Sequence, residues 1–265
     1  MLIDHLPVSL AMLQSVFHAP DVHTELPRIV MRWLHIVGGI TWIGLLYFFN
    51  LINVPFQKGL DAETKKKVNP ELLGRTLWWF RWGAVITVLF GLGYYVMYIL
   101  KPAVANAETL GHKDVNGKML ALVWLLIPIV TFVVEFLIIK KVPALTKDGR
   151  VFAVVAFILF TAMTVVILKW LSDGLTINGD NYASNSTLSI GVGGAMGLIM
   201  LLNVWGIIWP NNKRILAGLT GGPAAPPELA RQAFIASRTN AWLSLPMLLF
   251  MATSPRGDWV IFGGK

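Results

Sequence analysis

The sequence has no cysteine and few charges, and both absences restrict what the protein can be. Among its 265 residues there is no Cys, which excludes disulfides, iron–sulfur clusters, zinc ribbons and covalently attached c-type haem. Charged residues make up only 14% of the chain, against roughly 25% in a soluble domain. The sequence also has no Walker A loop, no His-Glu-x-x-His and no Gly-x-Ser-x-Gly motif. Any haem or metal would therefore depend on His, Met, Tyr or carboxylate ligands.

Long apolar runs replace the scattered hydrophobic pattern of a soluble core. Hydrophobic residues make up 55% of the sequence, and the mean hydropathy is +0.65. Five runs occupy residues 29–49, 77–100, 119–139, 151–171 and 190–209. Each has the length of roughly 20 residues that a bilayer core of about 30 Å requires. The sequence therefore predicts an all-α fold, a polytopic transmembrane helix bundle.

A sixth apolar segment and the N-terminus are less regular. The segment at about 233–252 contains Arg238, Asn240 and Pro246, and we favour a span whose polar side chains turn into the bundle. Five to six helices then cross the membrane, and Pro227 is well placed to begin the last of them. The apolar run 6–17 is too short to cross and indicates an interfacial segment. We divide the chain into an N-terminal interfacial or outer segment (1–26), a membrane domain (27–254) and a C-terminal tail (255–265).

The net charge of +8 follows the loops and does not indicate nucleic-acid binding. Fourteen basic residues lie in or beside alternate loops, and four lie on the opposite side. The richer set is Lys58, Lys65, Lys66, Lys67, Arg75, Arg81, Lys140, Lys141, Lys147, Arg150, Lys213, Arg214, Arg231 and Arg238. Basic loops remain in the cytoplasm, so six spans would place the N-terminus outside.

His35 is the first ionisable residue predicted to lie within a span. At helical spacing it shares a face with Gly38, Gly39 and Trp42. A His beside a glycine notch is typical of an axial haem ligand, because the notch makes room for the macrocycle. His35 would then be the ligand to the metal, and Gly38 and Gly39 would complete a site for haem b. A second ligand could be His18, His23, His112 or a Met, or could be absent. The alternative is a His that hydrogen-bonds to a neighbouring helix across a packing contact.

Glu135 is the second such residue, and several polar side chains are predicted near its depth. Arg81 enters the second span from the same side, and Asn203 lies in the matching half of the fifth. Arg and Asn side chains suit a planar anion with several amide-like edges. We therefore predict a polar pocket in which Arg81, Glu135 and Asn203 are catalytic, joined by Asn50, Asn53 and Arg238. The structural alternative is an ion pair between Arg81 and Glu135, with ordinary interfacial polarity elsewhere.

Several stretches together resemble a known family. They are Arg32-Trp33-Leu34-His35, Trp42-Ile43-Gly44, Phe49-Asn50, Leu77 to Gly83, Asn203 to Asn211 and Ala236 to Asn240. The sequence resembles the membrane domain of the bacterial membrane-bound urate oxidase (urate hydroxylase) family, from about Pro27 to Ser254. The resemblance implies urate or another purine-like anion as substrate, and the bacterial inner membrane as location. Family members assigned to urate oxidation typically carry a C-terminal cytochrome c domain. Because this sequence has no Cys-x-x-Cys-His, the resemblance implies a separate cytochrome c as electron acceptor.

Two classes of function follow. The first is an integral membrane oxidoreductase of the urate-oxidising type, passing electrons to a cytochrome c directly or through a b-type haem. In it, Arg81 and Asn203 orient the anion, Glu135 handles a proton and His35 holds the redox centre. The second is a non-catalytic or haem-bearing subunit of a respiratory or photosynthetic electron-transfer complex, which binds its partners through glycine-rich helix faces. A transporter is less favoured, because no inverted pairing of broken helices is apparent.

Overall fold

The structure, a computed structural model, describes residues 19–111, 115–255 and 260–262. Within these ranges the chain forms seven helices and one two-stranded hairpin. The helices are α1 (Glu25–Lys58), α2 (Ala62–Thr109), α3 (Gly117–Lys141), α4 (Pro143–Lys147), α5 (Gly149–Gly174), α6 (Asn185–Leu219) and α7 (Pro227–Ala252). Five of them, α1, α2, α3, α5 and α6, are long and apolar enough to cross a membrane. The all-α fold is therefore confirmed, whereas the predicted interfacial run 6–17 lies outside the described residues.

Local sequence signals set where these helices begin. Asp61 precedes α2 and accepts hydrogen bonds from the backbone N–H groups of Glu63 and Thr64. Asn116, Asp148 and Ser184 cap α3, α5 and α6 in the same way. Such side chains satisfy backbone donors that have no partner inside the helix. Pro227 begins α7, as the sequence predicts, because its missing N–H costs nothing at a first helical position.

Three long helices contain a π-helical stretch. These stretches are Phe48–Asn53 in α1, Val96–Leu100 in α2 and Val204–Ile208 in α6. A π-helical stretch inserts an extra residue into the turn and rotates the side chains that follow it. In two of the three a buried Asn lies at the stretch: Asn50 within the first, and Asn203 immediately before the third. Two of the buried amides of the bundle therefore lie where its helices depart from regular geometry.

The connected long helices run in opposite directions, and hydrogen bonds join their matching ends. Tyr95, in the second half of α2, donates to the carbonyl oxygen of Thr187 at the start of α6 (3.1 Å). Trp170, near the end of α5, donates to that of Leu120 at the start of α3 (3.0 Å). The opposite end of the bundle carries most of the Lys and Arg residues, on its connections and on the helix ends beside them. We call it the basic end; it holds the connections 58–62, 141–149 and 219–227.

Helix α7 extends along the whole length of α6 in the opposite direction. Asn185, at the start of α6, donates to the Thr253 carbonyl oxygen just after α7 (2.7 Å). Asn211, near the end of α6, donates to the Leu229 carbonyl oxygen at the start of α7 (3.2 Å). The 26 residues of α7 give about 39 Å of helix. Helix α7, the sixth predicted span, is therefore long enough to cross with its neighbours, although it is less apolar than the other five.

Helix α6 is the centre of the bundle, and its glycines allow neighbouring side chains to approach. A Cβ atom on Gly191 would lie 3.0 Å from the Tyr95 hydroxyl, and one on Gly193 would lie 3.3 Å from the Met247 carbonyl oxygen. Gly194 faces the Trp124 ring. The glycine-rich face of α6 is therefore used for packing inside the chain, and it is not free to bind a partner subunit.

A tight hairpin joins α5 to α6 at the end opposite the basic end. Strand β1 (Thr176–Ile177) pairs antiparallel with β2 (Asp180–Asn181). The two residues between the strands, Asn178 and Gly179, have φ angles of 51° and 90°. An Asn-Gly pair tolerates two positive φ angles, as this kind of turn requires.

Candidate functional site

A buried acid and two buried amides form the most enclosed polar cluster of the helices. Glu135 in α3 is 1% exposed, and Asn203 in α6 and Asn240 in α7 are each 0% exposed. The Asn203 Nδ2 atom donates to both carboxyl oxygens of Glu135, at 3.1 and 3.2 Å. It also donates to Asn240 Oδ1 at 3.0 Å. The structure thus brings together two of the three predicted catalytic residues and adds Asn240.

The direction of the Asn203 amide follows from its neighbours. Asn240 Nδ2 donates to the Met200 carbonyl oxygen (2.9 Å), so Asn240 presents its Oδ1 atom to Asn203. Nδ2 of Asn203 must face this oxygen, because two carbonyl-type oxygens cannot share a hydrogen bond. The Asn203 Oδ1 atom is then buried without a hydrogen-bond partner among the described residues. Such an acceptor is rare in a folded protein and calls for a donor.

Arg81 lies against the tryptophans of α6 just beyond this cluster. Its guanidinium carbon is 3.7 Å from the centre of the Trp209 ring and 5.7 Å from that of Trp205. Trp82 contacts the edge of Trp205, with ring centres 5.6 Å apart. Stacking on indole faces stabilises a guanidinium and holds it flat. The Arg81 Nε and Trp205 Nε1 groups are both buried without an acceptor in the part of the chain that the structure describes.

The ion pair considered between Arg81 and Glu135 is wrong. The ion pairs among the described residues are short-range surface pairs on α2 and α5, and neither Arg81 nor Glu135 belongs to one. Two separate contacts replace the pair, because Trp209 holds the guanidinium and Asn203 supplies the hydrogen bonds to the acid. Glu135 therefore has an amide donor and no cation, an expensive arrangement for a charged carboxylate in a membrane.

The other predicted members of the pocket lie elsewhere. Asn50 donates to Ser237 Oγ at 3.0 Å, which joins α1 to α7. Asn53 accepts from Gln57 within α1. Arg238 lines a different cavity, between α5 and α7. The structure therefore does not bring all the predicted residues together. Glu135, Asn203 and Asn240 meet, and Arg81 of α2 lies against the adjacent stretch of α6.

His35 and its two glycines lie at the contact between α1 and α2. The His35 Nδ1 atom lies 2.7 Å from the carbonyl oxygen of Thr87, so this nitrogen carries the hydrogen and donates. A Cβ atom on Gly38 would lie 2.9 Å from Thr87 Oγ1, and one on Gly39 would lie 3.7 Å from Thr87 Cγ2. Gly91 of α2 leaves the space that the His35 ring occupies. This geometry agrees with the alternative considered for His35, in which the side chain hydrogen-bonds to a neighbouring helix across a packing contact.

The notch beside His35 does not fit a haem between these two helices. Thr87 fills the space that Gly38 and Gly39 were expected to leave for the macrocycle. His23, one of the possible second ligands, precedes α1. The first residue of α1, Glu25, is itself about 15 Å along the helix axis from His35. His5, His18 and His112 lie outside the described residues. Within the described ranges, no group of three His, Asp or Glu side chains could hold a metal ion. Haem b on His35 stays a prediction that this packing does not favour.

A comparison with protein-family models identifies the chain's relatives. A model described as urate oxidase N-terminal matches residues 57–255, which is most of the chain. The chain belongs to this family. The family match begins after most of α1, so it contains Arg81, Glu135, Asn203 and Asn240 but not His35. No curated protein and no solved structure matches the chain.

Asn240 and the tryptophan pair are the site residues that the sequence alone did not indicate as functional. Asn240 had a visible signal, since it is a polar residue in an apolar helix, but nothing in the sequence joins it to Asn203. Trp205 and Trp209 lie near the end of an apolar run, a position at which tryptophan is typical of the membrane interface. Only the contact with Arg81 shows that they also hold a charge.

Proposed function

We propose that this member of the urate oxidase N-terminal family is an integral membrane oxidoreductase that oxidises urate or a closely related purine anion. The proposed site is the polar region on α6 between Asn203 and Trp209, together with Glu135 and Arg81. Family membership supports the chemistry. Four buried side-chain atoms lack a hydrogen-bond partner among the described residues, and the fourth is Trp42 Nε1 of α1. The observation that carries the choice of site is that the other three lie on α6 or against it.

These three atoms are complementary to a purine-like anion. Arg81 Nε and Trp205 Nε1 are donors, and Asn203 Oδ1 is an acceptor. An oxidised purine presents carbonyl oxygens and ring N–H groups around a flat ring, so it offers an acceptor to each donor and a donor to the amide oxygen. A ligand that satisfied these groups would remove the cost of burying them unpaired.

Each residue has a distinct role in this proposal. Arg81, held flat on Trp209, would bind the anion and balance its charge. Asn203 would bind a ring N–H through Oδ1 while its Nδ2 group holds Glu135. Glu135 would accept or return a proton, because a carboxyl with an amide donor and no cation can exist in both protonation states. Asn240 is a positioning residue, since it fixes the direction of the Asn203 amide.

Electrons removed from the purine would reduce a separate cytochrome c, in the proposal drawn from the family resemblance. No step here depends on a haem, because the His35 notch is filled. Absorption spectra of the purified protein, oxidised and dithionite-reduced, test the haem prediction directly. A b-type difference signal that disappears in His35→Ala would establish the cofactor, and a flat spectrum after expression with ample haem would remove it.

The test of function is urate consumption by the purified protein in lipid nanodiscs, with oxidised cytochrome c and then with quinone and dye acceptors. We expect turnover that falls about 10- to 100-fold in Arg81→Ala, because a charged hydrogen bond to the substrate contributes about 1.5–3 kcal/mol. Arg75→Ala is the matched control, since Arg75 is an exposed residue of the same helix that pairs with Glu71. Urate that survives with every acceptor would refute the proposal.

The alternative of a non-catalytic subunit loses one of its supports. It expected the glycine-rich helix faces to bind partners, but in α6 this face packs against α2, α3 and α7 of the same chain. A stable association with cytochromes or oxidase subunits, isolated without urate turnover, would favour this alternative over the proposed enzyme.

A further inference from the structure

A cavity lies between α5 and α7, and none of Glu135, Asn203 and Asn240 lines it. Its volume is about 500 Å³, and Met196 of α6 contributes to its lining. Helices α5 and α7 both pack on α6 and face each other across the cavity. Two of its side chains are strongly exposed, Phe157 at 72% and Trp242 at 67%. In a helix that crosses a membrane such side chains face lipid, so the cavity is accessible from the bilayer.

The cavity walls are apolar and aromatic except for two arginines and three threonines. The lining residues include Phe152, Phe160, Phe234, Leu243, Pro246 and Phe250. Two of the threonines, Thr164 and Thr239, already donate their hydroxyl hydrogens to carbonyl oxygens of their own helices. No acidic residue lines the cavity. The arginines are therefore its main hydrogen-bond donors and its only charges.

Arg238 has no anion to balance it. Its guanidinium carbon lies 5.3 Å from the centre of the Phe234 ring. It forms no ion pair or hydrogen bond in the part of the chain that the structure describes. Arg238 lies eleven residues after Pro227, the first residue of α7, or about 16 Å along the helix axis. An arginine at that depth is costly unless it pairs with another group.

Arg231 places a second positive charge at the same end of the cavity. Its Nη2 atom donates to the backbone carbonyl oxygens of Thr146 (2.6 Å) and Lys147 (2.9 Å), which fixes the side chain without neutralising it. Asp148, the acidic residue that directly follows Lys147, caps α5 by accepting a hydrogen bond from the N–H of Arg150. The two arginines therefore give the basic end of the cavity a net positive charge.

The apolar part of the cavity has the length of one leaflet. Along α7, twelve residues separate Arg238 from Phe250 at the far end of the lining. This distance is about 18 Å of helix, close to half of a hydrocarbon core of about 30 Å. A cavity of this length accommodates a molecule with its charged end at Arg238 and one apolar chain, about as long as a single leaflet, directed toward Phe250.

We propose that the cavity between α5 and α7 binds an anionic phospholipid. Its phosphate would pair with Arg238 and lie beside Arg231, and one acyl chain would lie between the aromatic side chains of α5 and α7. Basic pockets between transmembrane helices at the cytoplasmic side bind anionic head groups in this way. The charge distribution and the length support a phospholipid rather than a neutral lipid. The proposal is independent of the proposed reaction.

Native mass spectrometry of the delipidated protein, titrated with phosphatidylglycerol or phosphatidylcholine of identical acyl chains, tests this proposal. We expect one phosphatidylglycerol to bind about tenfold more tightly than phosphatidylcholine, and Arg238→Gln to abolish that preference. Arg214→Gln is the matched control, because Arg214 is exposed near the basic end of α6 and does not line the cavity. Ala153→Phe keeps both arginines but narrows the cavity with a large side chain from α5, and it should weaken binding of both lipids.

Three outcomes would overturn the proposal. Equal affinity for the two phospholipids would show that the head-group charge is not recognised. An equal loss in Arg214→Gln and Arg238→Gln would indicate diffuse attraction to the basic end. Oleate that binds more tightly than phosphatidylglycerol would identify a fatty-acid site instead. Thermal unfolding of each variant in the same detergent verifies that the fold is retained, and Ala153→Phe gives an independent result if Arg238→Gln does not fold.

Discussion

At the scale of single residues, the main feature is an acid held by amides rather than by a cation. Glu135 accepts from Asn203, and Asn203 is directed in turn by Asn240. The arrangement places a carboxyl group and an unpaired amide oxygen in the same buried region. The identity of the side chain at position 135 should therefore affect chemistry and stability in different ways.

Substitution of Glu135 separates these two effects. Glu135→Ala leaves the Asn203 N–H group unpaired and creates a cavity, so it should lower the free energy of unfolding by about 2–4 kcal/mol. Glu135→Gln keeps the volume and an acceptor oxygen and should cost less than about 1 kcal/mol. Both variants should lose urate turnover if Glu135 handles a proton. Thermal unfolding and urate consumption are the measurements, with the exposed Glu108→Gln as control. A fully active Glu135→Gln would contradict the proton role.

The coupling between the two amides can also be measured. Asn240→Ala should leave the Asn203 amide free to rotate, so that it no longer holds Glu135 in one position. We expect the Asn203→Ala and Asn240→Ala variants to be non-additive, with a coupling free energy of about 0.5–3 kcal/mol. A double-mutant cycle on thermal stability measures this value. Strict additivity would mean that the hydrogen bond from Asn203 to Asn240 does not fix the orientation of the Asn203 amide.

At the scale of helices, glycine determines how closely α1 and α2 approach. Gly38 of α1 faces the backbone of α2 at Thr87, and Gly83 of α2 faces the backbone of α1. Gly91 makes room for the His35 ring. Close approach through small residues is the usual packing mode within membranes, where burial of apolar surface drives little association. The glycines at this contact therefore contribute to packing, independently of any cofactor.

Gly38→Ala tests this packing against a matched glycine of the same helix. A Cβ atom at position 38 would lie 3.1 Å from the backbone nitrogen of Thr87, whereas one at position 44 would meet nothing within 4 Å. Gly38→Ala should therefore destabilise the protein by about 1–3 kcal/mol. Gly44→Ala should be neutral or stabilising by up to about 1 kcal/mol, because alanine favours helix. Equal melting temperatures for the two variants would contradict this packing.

The start of α2 should depend on pH through its capping residue. Hydrogen bonds from the Thr64 hydroxyl and from backbone N–H groups hold the pKa of Asp61 below its usual value. A lowered pKa in the folded state gives stability that is present above the unfolded-state pKa, about 3.9, and that is lost as pH falls through the folded-state pKa. Amide exchange at residues 62–66, corrected for intrinsic rates, should show this loss of protection.

Asp61→Asn is the control for that experiment. Asparagine caps a helix without titrating, so the variant should keep its protection at pH 7 and lose the dependence on acid pH. Protection that falls with pH in the same way in Asp61→Asn would assign the effect to another group.

At the scale of the whole molecule, alternating helix direction places most of the basic residues at one end. The sequence predicts that this basic end faces the cytoplasm. Because the chain has no native Cys, single cysteines report on topology without background. Lys66→Cys should resist a membrane-impermeant maleimide in intact cells and react after lysis. Glu108→Cys, at the opposite end, should react in both conditions. The reverse labelling pattern would invert the orientation, with no change to the fold.

The sequence by itself determined the features that depend on local pattern. Apolar runs of spanning length identified the helices, because a bilayer requires every backbone group to be paired within the helix. Pro227 began α7 as predicted, and Glu135 and Asn203 stood out as buried polar groups because ionisable and amide side chains are rare in apolar segments.

Only the tertiary structure decided which of these groups meet. Glu135 and Asn203 are 68 residues apart in sequence, and Asn203 and Asn240 are 37 apart. Their contact depends on the helix order around α6, which packs against both α3 and α7. Charge alone favoured pairing Arg81 with Glu135, but packing on Trp209 gave the guanidinium another partner. The glycine notch at His35 was visible in the sequence, whereas its filling by Thr87 was not, because the notch and the side chain that fills it belong to different helices.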